Sequence, residues 1–208
     1  KKKKMAIRIG TWNLNNNWGK NGRDVLHLLQ SGSIDILGVQ EIGTVTAAIR
    51  RAVSRRGFNI VGGGDRKVAI IMKEGLRSTV QDIQWDASKG ARWVSLVLEP
   101  CQGALLRIIA VYIPAGVEQA GVDAKARRAI AIMRDVGRQL HDGIPFVVLG
   151  DFNDTYLPGD RDKPFPNSGL VVGSMVDAGA VDLFRHLNPG AEGRTFARGG
   201  RLISRLDY

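Results

Sequence analysis

The sequence predicts a layered α/β protein with helices packed outside a sheet core. Three observations predict it. Short apolar runs of strand length outnumber amphipathic stretches. Helical patterns fall between some of those runs. Several runs stop at a polar or acidic residue.

The elements follow in order. Met5 to Trp12 reads as a first strand, with Ile7 and Ile9 alternating against Arg8 and Gly10. Asn13 to Gly22 is rich in Asn and Gly and reads as loop. Arg23 to Gln30 reads as a short helix. Ile34 to Val39 has a strand's length and runs straight into Gln40-Glu41. Thr44 to Arg56 has Val45, Ala48, Ile49, Ala52 and Val53 at helical spacing, decorated by Arg50, Arg51, Arg55 and Arg56. Strands are expected at Asn59 to Val61, Val68 to Met72, Trp93 to Leu98, Leu105 to Ile113 and Ile144 to Leu149. Glu118 to Leu140 is the longest helical pattern. Tyr156 to Gly173 reads as loop, Met175 to Leu187 as a helix ending before Pro189. Arg194 to Tyr208 reads as two short strands around Gly199-Gly200.

Composition excludes whole classes. Hydrophobic residues make up 44% of the 208 and charged residues 24%, the balance of a globular protein with a core of its own rather than a disordered chain, collagen or coiled coil. Residues 5–208 are expected to form a single domain, with Lys1 to Lys4 as a basic tail or remnant. Cys101 is the only cysteine, so a disulfide framework and a cysteine-based zinc site are excluded. The longest apolar run, Ile108 to Ile113, is far too short to span a membrane, so no membrane partner is expected. Thirty Lys and Arg against 20 Asp and Glu give a net charge of +10, of which the four leading lysines carry four. Such a balance suits a polyanion such as nucleic acid, and equally suits plain solubility.

The chemistry concentrates at the strand ends. Trp12 runs into Asn13, Val39 into Gln40-Glu41, Val111 into Tyr112, and Leu149 into Gly150-Asp151-Phe152-Asn153. A sheet gives a rigid base while the strand's end stays reachable. Asp, Glu and Asn offer hard oxygen ligands that suit Mg²⁺ or Mn²⁺. Each residue alone has a plainer explanation. Asn13 suits a turn, Glu41 a solvated loop or helix cap, and Tyr112 a core ring with its hydroxyl at the rim. Gly150-Asp151-Phe152-Asn153 is harder to explain that way, because two oxygen-bearing side chains flank one aromatic straight after a strongly apolar run.

Thr11-Trp12-Asn13-Leu14-Asn15, Gln40-Glu41, Tyr112-Ile113-Pro114, Gly150-Asp151-Phe152-Asn153 and Arg205-Leu206-Asp207-Tyr208 stand in one order along the chain. In that order they resemble the endonuclease/exonuclease/phosphatase superfamily. It includes abasic-site endonucleases, DNase I, phosphoinositide phosphatases and the endonuclease domains of LINE-type (non-LTR) retrotransposons. The resemblance runs from Ile7 to Tyr208. It implies a four-layered α/β sandwich, DNase I-like, with two facing mixed sheets flanked by helices and a metal-dependent site where strand ends converge. It makes Glu41 the main Mg²⁺ ligand, assisted by Asn13, with Mn²⁺ as a possible substitute. Asp151 would orient or deprotonate the attacking water, Asn153 and Tyr112 would hydrogen-bond the phosphate, and Asp207 would stand beside them. Phosphodiester hydrolysis fits these residue types, since charge building on phosphate oxygens is stabilised by a Lewis acid and by amide and hydroxyl donors.

The chain also departs from the family. Relatives usually carry a Ser-Asp-His element after Arg-(Ile/Leu)-Asp-Tyr, whereas this sequence stops at Tyr208, so a truncated C-terminal end is expected. His27, His141 and His186 all precede Asp207 and read as solvated or packed side chains. Ala115-Gly116 follows Tyr112-Ile113-Pro114 where many relatives have asparagine.

The last thirty residues resemble the LINE-type branch most. They carry Asp182-Leu183-Phe184-Arg185-His186-Leu187-Asn188-Pro189, then Arg194-Thr195-Phe196, then Ser204-Arg205-Leu206-Asp207-Tyr208. Thr195 matches a threonine of retrotransposon members and is expected to contact nucleic acid, together with Arg194, Arg198, Arg201 and Arg205, which suit phosphate contacts. The resemblance implies a Mg²⁺-dependent endonuclease that nicks double-stranded DNA for target-primed reverse transcription. A reverse-transcriptase domain would share the polyprotein, and the protein would work in a nucleus if its host is eukaryotic and inside the cell otherwise. Two other readings stay open: an abasic-site endonuclease or other phosphoesterase, and a catalytically impaired fragment that only binds nucleic acid. Oligomeric state is not readable.

Overall fold

The structure is a computed structural model and describes residues 6–63, 68–85, 92–113, 130, 137, 143–157, 160, 169–198, 201–204 and 206–208. Ten strands are seen among them: β1 (Ile9–Asn13), β2 (Ile36–Gln40), β3 (Phe58–Gly62), β4 (Val68–Lys73), β5 (Arg77–Trp85), β6 (Arg92–Cys101), β7 (Ala104–Tyr112), β8 (Phe146–Asp151), β9 (Phe196–Arg198) and β10 (Arg201–Ser204). Four helices accompany them: α1 (Trp18–Gln30), α2 (Ala47–Ser54), α3 (Leu170–Asp177) and α4 (Leu183–Leu187).

The strands form two four-stranded mixed sheets and a hairpin. One sheet has the order β1-β2-β4-β3, the other β5-β6-β7-β8, and β9 pairs with β10. The β1–β2 and β7–β8 pairs are parallel and the rest antiparallel. The two sheets face each other across Ile36, Val68, Ile70 and Met72 on one side and Val94, Leu96, Ile108, Ala110 and Leu149 on the other. β2 passes so close to β8 that a Cβ at Gly38 would lie 2.1 Å from Leu149 Cδ1. Outside the first sheet, Val25 and Leu29 of α1 and Val53 of α2 cover Leu37, Val39 and Ile71. Outside the second, Val171 and Val172 of α3 cover Ile109, Val111 and Phe152. Helix, sheet, sheet, helix is the four-layered sandwich that the resemblance implies. No described helix is long and apolar enough to cross a membrane.

Three local expectations are corrected. α1 starts at Trp18, five residues before the expected Arg23. Asn17 caps it by accepting from Lys20 N at 2.9 Å, and the Trp18 indole lies over Gly22, where a Cβ would be 2.7 Å from Nε1. The expected single helix Met175 to Leu187 is two, and the first begins at Leu170, inside the expected loop. The break falls at Gly179, which has φ 97°, a conformation open to glycine and costly for other residues. β5 was not expected at all, since Arg77 to Trp85 lacks a compact apolar run. The expected helix Glu118 to Leu140 lies outside the described residues apart from residues 130 and 137.

The C-terminal residues extend the second sheet. Asp207 bridges Asp151 in antiparallel fashion, Gly150 N donates to Tyr208 O and Tyr208 N to Gly150 O, both at 2.9 Å, and Phe152 N donates to Leu206 O at 3.0 Å. The Tyr208 ring then packs edge-on to Phe152 at 5.5 Å.

Candidate active site

Four strand ends converge. Asn13 closes β1 beside Gln40, the last residue of β2, and Glu41 follows directly. Tyr112 closes β7 beside Asp151, the last residue of β8. Gly150 lets β8 turn its end toward them, because a Cβ there would lie 2.0 Å from Val111 O and its φ is 145°. Asp154, three residues beyond Asp151, anchors the next layer by accepting from Val171 N at 2.8 Å and Val172 N at 3.1 Å at the start of α3.

The backbone is strained here. Asn15, Asn16, Glu41 and Asn153 are the non-glycine residues with positive φ among the described residues, at 51°, 54°, 48° and 46°. Each costs about 1 kcal/mol or more, and such residues concentrate at functional sites. Asparagine tolerates this conformation by bonding locally; glutamate gains no such relief, so Glu41 is the strongest case.

The side chains form two neighbouring hydrogen-bonded clusters, one around Asp151 and one around Glu41. Asn13 Nδ2 donates to Asp151 Oδ2 at 2.6 Å. Asn13 Oδ1 accepts from Asn15 N at 2.7 Å. The Tyr112 hydroxyl donates to Glu41 Oε1, and Asn16 Nδ2 to Glu41 Oε2 at 3.1 Å. Asn153 N donates to Asp151 Oδ1 at 2.8 Å, while Asn153 Nδ2 donates to Ile113 O at 2.8 Å. All six residues that the sequence nominates are therefore at the described strand ends, five of them in these two clusters and Asp207 beside Asp151.

The acids crowd one another. Burial first, then the neighbouring Asp207 and Glu41 charges, push the Asp151 carboxyl up to about 7, against opposing bonds from Asn153 and Asn13. Burial also raises Asp207, and the Thr195 hydroxyl partly offsets this. Asp207 Oδ1 is buried without a hydrogen-bond partner among the described residues.

This donor set suits a hard divalent cation. It is all oxygen, it is crowded with carboxylates, and one buried carboxylate oxygen has no donor. Among the described residues no three His, Cys, Asp or Glu side chains form a complete cage. Magnesium does not need one, since it commonly uses one or two protein ligands with water and substrate oxygens supplying the rest.

The other nominated residues lie around the hairpin. Thr195 stands just before β9, and its Oγ1 accepts from Leu206 N and Asp207 N at 3.1 and 3.2 Å. Arg194 Nη2 lies 3.4 Å from Glu192 Oε1. Arg198 and Arg201 are placed on β9 and β10 through their backbones only, and Arg205 lies outside the described residues. On α2, Arg50 is spent on the carbonyls of Ile60 and Gly62 at 2.9 and 3.1 Å. His27 and His186 are exposed on α1 and α4, and His141 lies outside the described residues.

Sequence reasoning missed Asn16, which holds Glu41, and the buried Gln40, whose Oε1 accepts from Thr11 Oγ1 at 3.0 Å. The Asn15-Asn16-Asn17 run was the available signal for the first. A fully apolar strand ending in a buried amide was the signal for the second.

The sequence profile of the Endonuclease/Exonuclease/phosphatase family matches residues 10–208. The chain belongs to this family. Among solved structures, it is similar to a variant of the 3′ phosphatase NExo from Neisseria bound to product DNA hairpin, at 22% identity and a TM-score of 0.79, over 97% of this chain and 85% of that one. It is similar to an AP endonuclease from Archaeoglobus fulgidus at 17% identity and a TM-score of 0.76, with the same coverage. The 3′-5′ exonuclease NExo from Neisseria meningitidis aligns at 23% identity and a TM-score of 0.77, over 96% of this chain and 84% of that one. Among curated protein sequences none is significantly similar. The family's DNase I-like fold is thus shared at low identity.

Proposed function

We propose that this member of the family is a divalent-metal-dependent endonuclease that nicks double-stranded DNA and leaves a 3′-hydroxyl, as target-primed reverse transcription of a LINE-type retrotransposon requires. The observation that carries it is the convergence of two hydrogen-bonded clusters at four strand ends, Asn13 and Asn153 on Asp151 and Tyr112 on Glu41, with Asp207 against Asp151. On this reading a reverse-transcriptase domain belongs to the same polyprotein, and the nucleus is the place of work in a eukaryotic host.

Glu41 and Asn13 would hold Mg²⁺, with Mn²⁺ as a substitute. Bound there, the ion would draw negative charge off the phosphate oxygens and the leaving oxygen. Asp151, held near 7, is poised to accept a proton from the attacking water at neutral pH. Asn13 and Asn153 fix its two oxygens on separate donors, so the carboxylate keeps one orientation. Asn153, its amide plane set by Ile113 O, and Tyr112 would donate to the phosphate as charge builds. Arg194, Arg198, Arg201 and Arg205 would meet flanking phosphates.

Conversion of supercoiled plasmid to open circles in Mg²⁺, abolished by EDTA, is the expected outcome. A second reading has its own support, because the similar solved structures include an AP endonuclease and a 3′ phosphatase or exonuclease. Intact duplex, abasic duplex and 3′-phosphorylated duplex offered side by side separate the two, and strong preference for either damaged substrate would overturn the retrotransposon reading. DNA binding with steep salt dependence and no turnover on any of them would leave only a binding role.

A further inference from the structure

Asp207 sits on a short strand gripped from both edges. On one edge, Leu206 and Tyr208 exchange backbone hydrogen bonds with Phe152 and Gly150. On the other edge no strand follows among the described residues. A single side-chain oxygen stands there, Thr195 Oγ1, which accepts from Leu206 N at 3.1 Å and from Asp207 N at 3.2 Å. The same hydroxyl favours the charged form of the Asp207 carboxyl, partly offsetting its burial. A threonine hydroxyl oxygen has two lone pairs, so these two backbone donors use its accepting capacity.

We infer that Thr195 is the positioning residue for Asp207, fixing the height and orientation of that carboxylate against Asp151 with one hydroxyl. The sequence resemblance gave Thr195 a nucleic-acid contact; with both its lone pairs taken by backbone donors, its oxygen braces the site instead. Asp207 Oδ1 has no hydrogen-bond partner among the described residues, so the backbone that this threonine holds sets the direction of Asp207. The β9–β10 hairpin, which begins next to Thr195, is thereby tied to the end of β8 through one side chain. Movement of the hairpin would move Asp207.

The inference rests on the proposed nuclease reading for its kinetic part, and on geometry alone for the rest. Two measurements on the 208-residue chain test it. In Mg²⁺-dependent plasmid nicking, Thr195→Val should lower kcat about 10- to 100-fold, the range lost when a supporting hydrogen bond behind a site is removed, with KM changed less than about twofold. Thr195→Ser should recover most of the loss. Thr195→Val combined with Asp207→Ala should be no slower than Asp207→Ala alone. In hydrogen exchange read by mass spectrometry, amide protection at residues 206–207 should fall in Thr195→Val and return in Thr195→Ser. If wild type nicks and Thr195→Val raises KM while kcat holds, Thr195 is a DNA contact and the inference is wrong. If wild type turns over no substrate, the nuclease reading fails, and exchange still decides the positioning: unchanged protection in Thr195→Val overturns it.

Discussion

The two ends of the sandwich carry opposite kinds of carboxylate. At the entry end, Asp35 is clasped by Arg8, with Arg8 Nε on Oδ2 at 3.0 Å, Nη2 on Oδ1 at 3.2 Å, and the Arg8 backbone N on Oδ2 at 2.9 Å. That guanidinium holds Asp35 below the usual carboxylate range. At the exit end, Asp151 meets only amides, a buried setting and other acids, and is pushed up to about 7. The sandwich satisfies one acid completely and leaves another short of positive charge. The first ties strands together. The second conserves a demand that a cation or a proton can meet, which is what a hydrolytic site needs.

The largest way to break this contrast is to remove the exit-end acids. Glu41→Gln or Asp151→Asn should each lower the nicking rate by roughly a thousandfold or more, the scale lost with a principal electrostatic or proton-transfer group. Neither should unfold the protein. Asp151→Asn should raise Tm at pH 8 without metal, because an amide can be buried there without a net charge. A lower Tm in that variant would mean that the anion is structurally required and the comparison is misdrawn.

The pH dependence sharpens the contrast. Asp151 ionises at about 7 when folded and near 3.8 in its ordinary state. Between those values the folded chain keeps a proton that the unfolded chain has released, so stability is present at acid pH and lost as pH rises toward 7. Asp207, also raised by burial, adds to the same slope. Urea unfolding of metal-free protein between pH 4.5 and 8 should give a declining midpoint, flattened in Asp151→Asn. Added Mg²⁺ should restore stability mainly at the alkaline end, where the acids are charged. A midpoint rising with pH in the metal-free protein would contradict the burial of Asp151.

The strand ends were legible because an apolar run meeting a carboxylate or amide is a local pattern, and the spacing of five such patterns carried the family. What stayed hidden depends on contacts between distant segments. β5 has little apolar patterning of its own and exists through pairing with β6, including a bulge between Val80 and Asp82. α1 contains Gly19 and Gly22, which argue against a helix, yet the Asn17 cap and the close seat of Trp18 on Gly22 extend it. No sequence pattern announces that Glu41 adopts φ 48°, or that Thr195 lies beside Leu206 and Asp207. The residues that gather at the strand ends could be named from the sequence. Their mutual support could not, because it runs across 138 residues of chain, from Asn13 to Asp151.

Asn16 tests that support with a smaller effect. Asn16→Gly keeps a backbone that favours φ 54° and removes only the amide on Glu41 Oε2. Nicking should fall about 10-fold, with a higher Mg²⁺ requirement and little change in Tm. Asn16→Ala should show the same kinetic loss plus a lower Tm, because alanine is strained in that conformation. Equal Tm for the two variants would remove strain from the account of this loop.

The smallest expected effect belongs to the entry end. Asp35→Asn should leave nicking unchanged, since neither Asp35 nor Arg8 takes part in either cluster of the site. Its Tm at pH 7 should fall by only roughly one to three degrees, because the Arg8 side chain is about half exposed, at 53%, and water and salt screen the pair. The sign of the pH dependence is the informative part. Asp35 is lowered by Arg8, so its contribution is present above the ordinary carboxylate pKa and disappears as pH falls through the lowered one. Wild type and Asp35→Asn should therefore differ at pH 7 and converge near pH 2, while wild type and Asp151→Asn should converge on the acid side and diverge toward pH 8. Two aspartates at opposite ends of the two facing sheets would then tilt stability in opposite directions. A difference at Asp35 that grows with acid would mean that the guanidinium is not what holds it, and would leave the exit end with no contrasting acid.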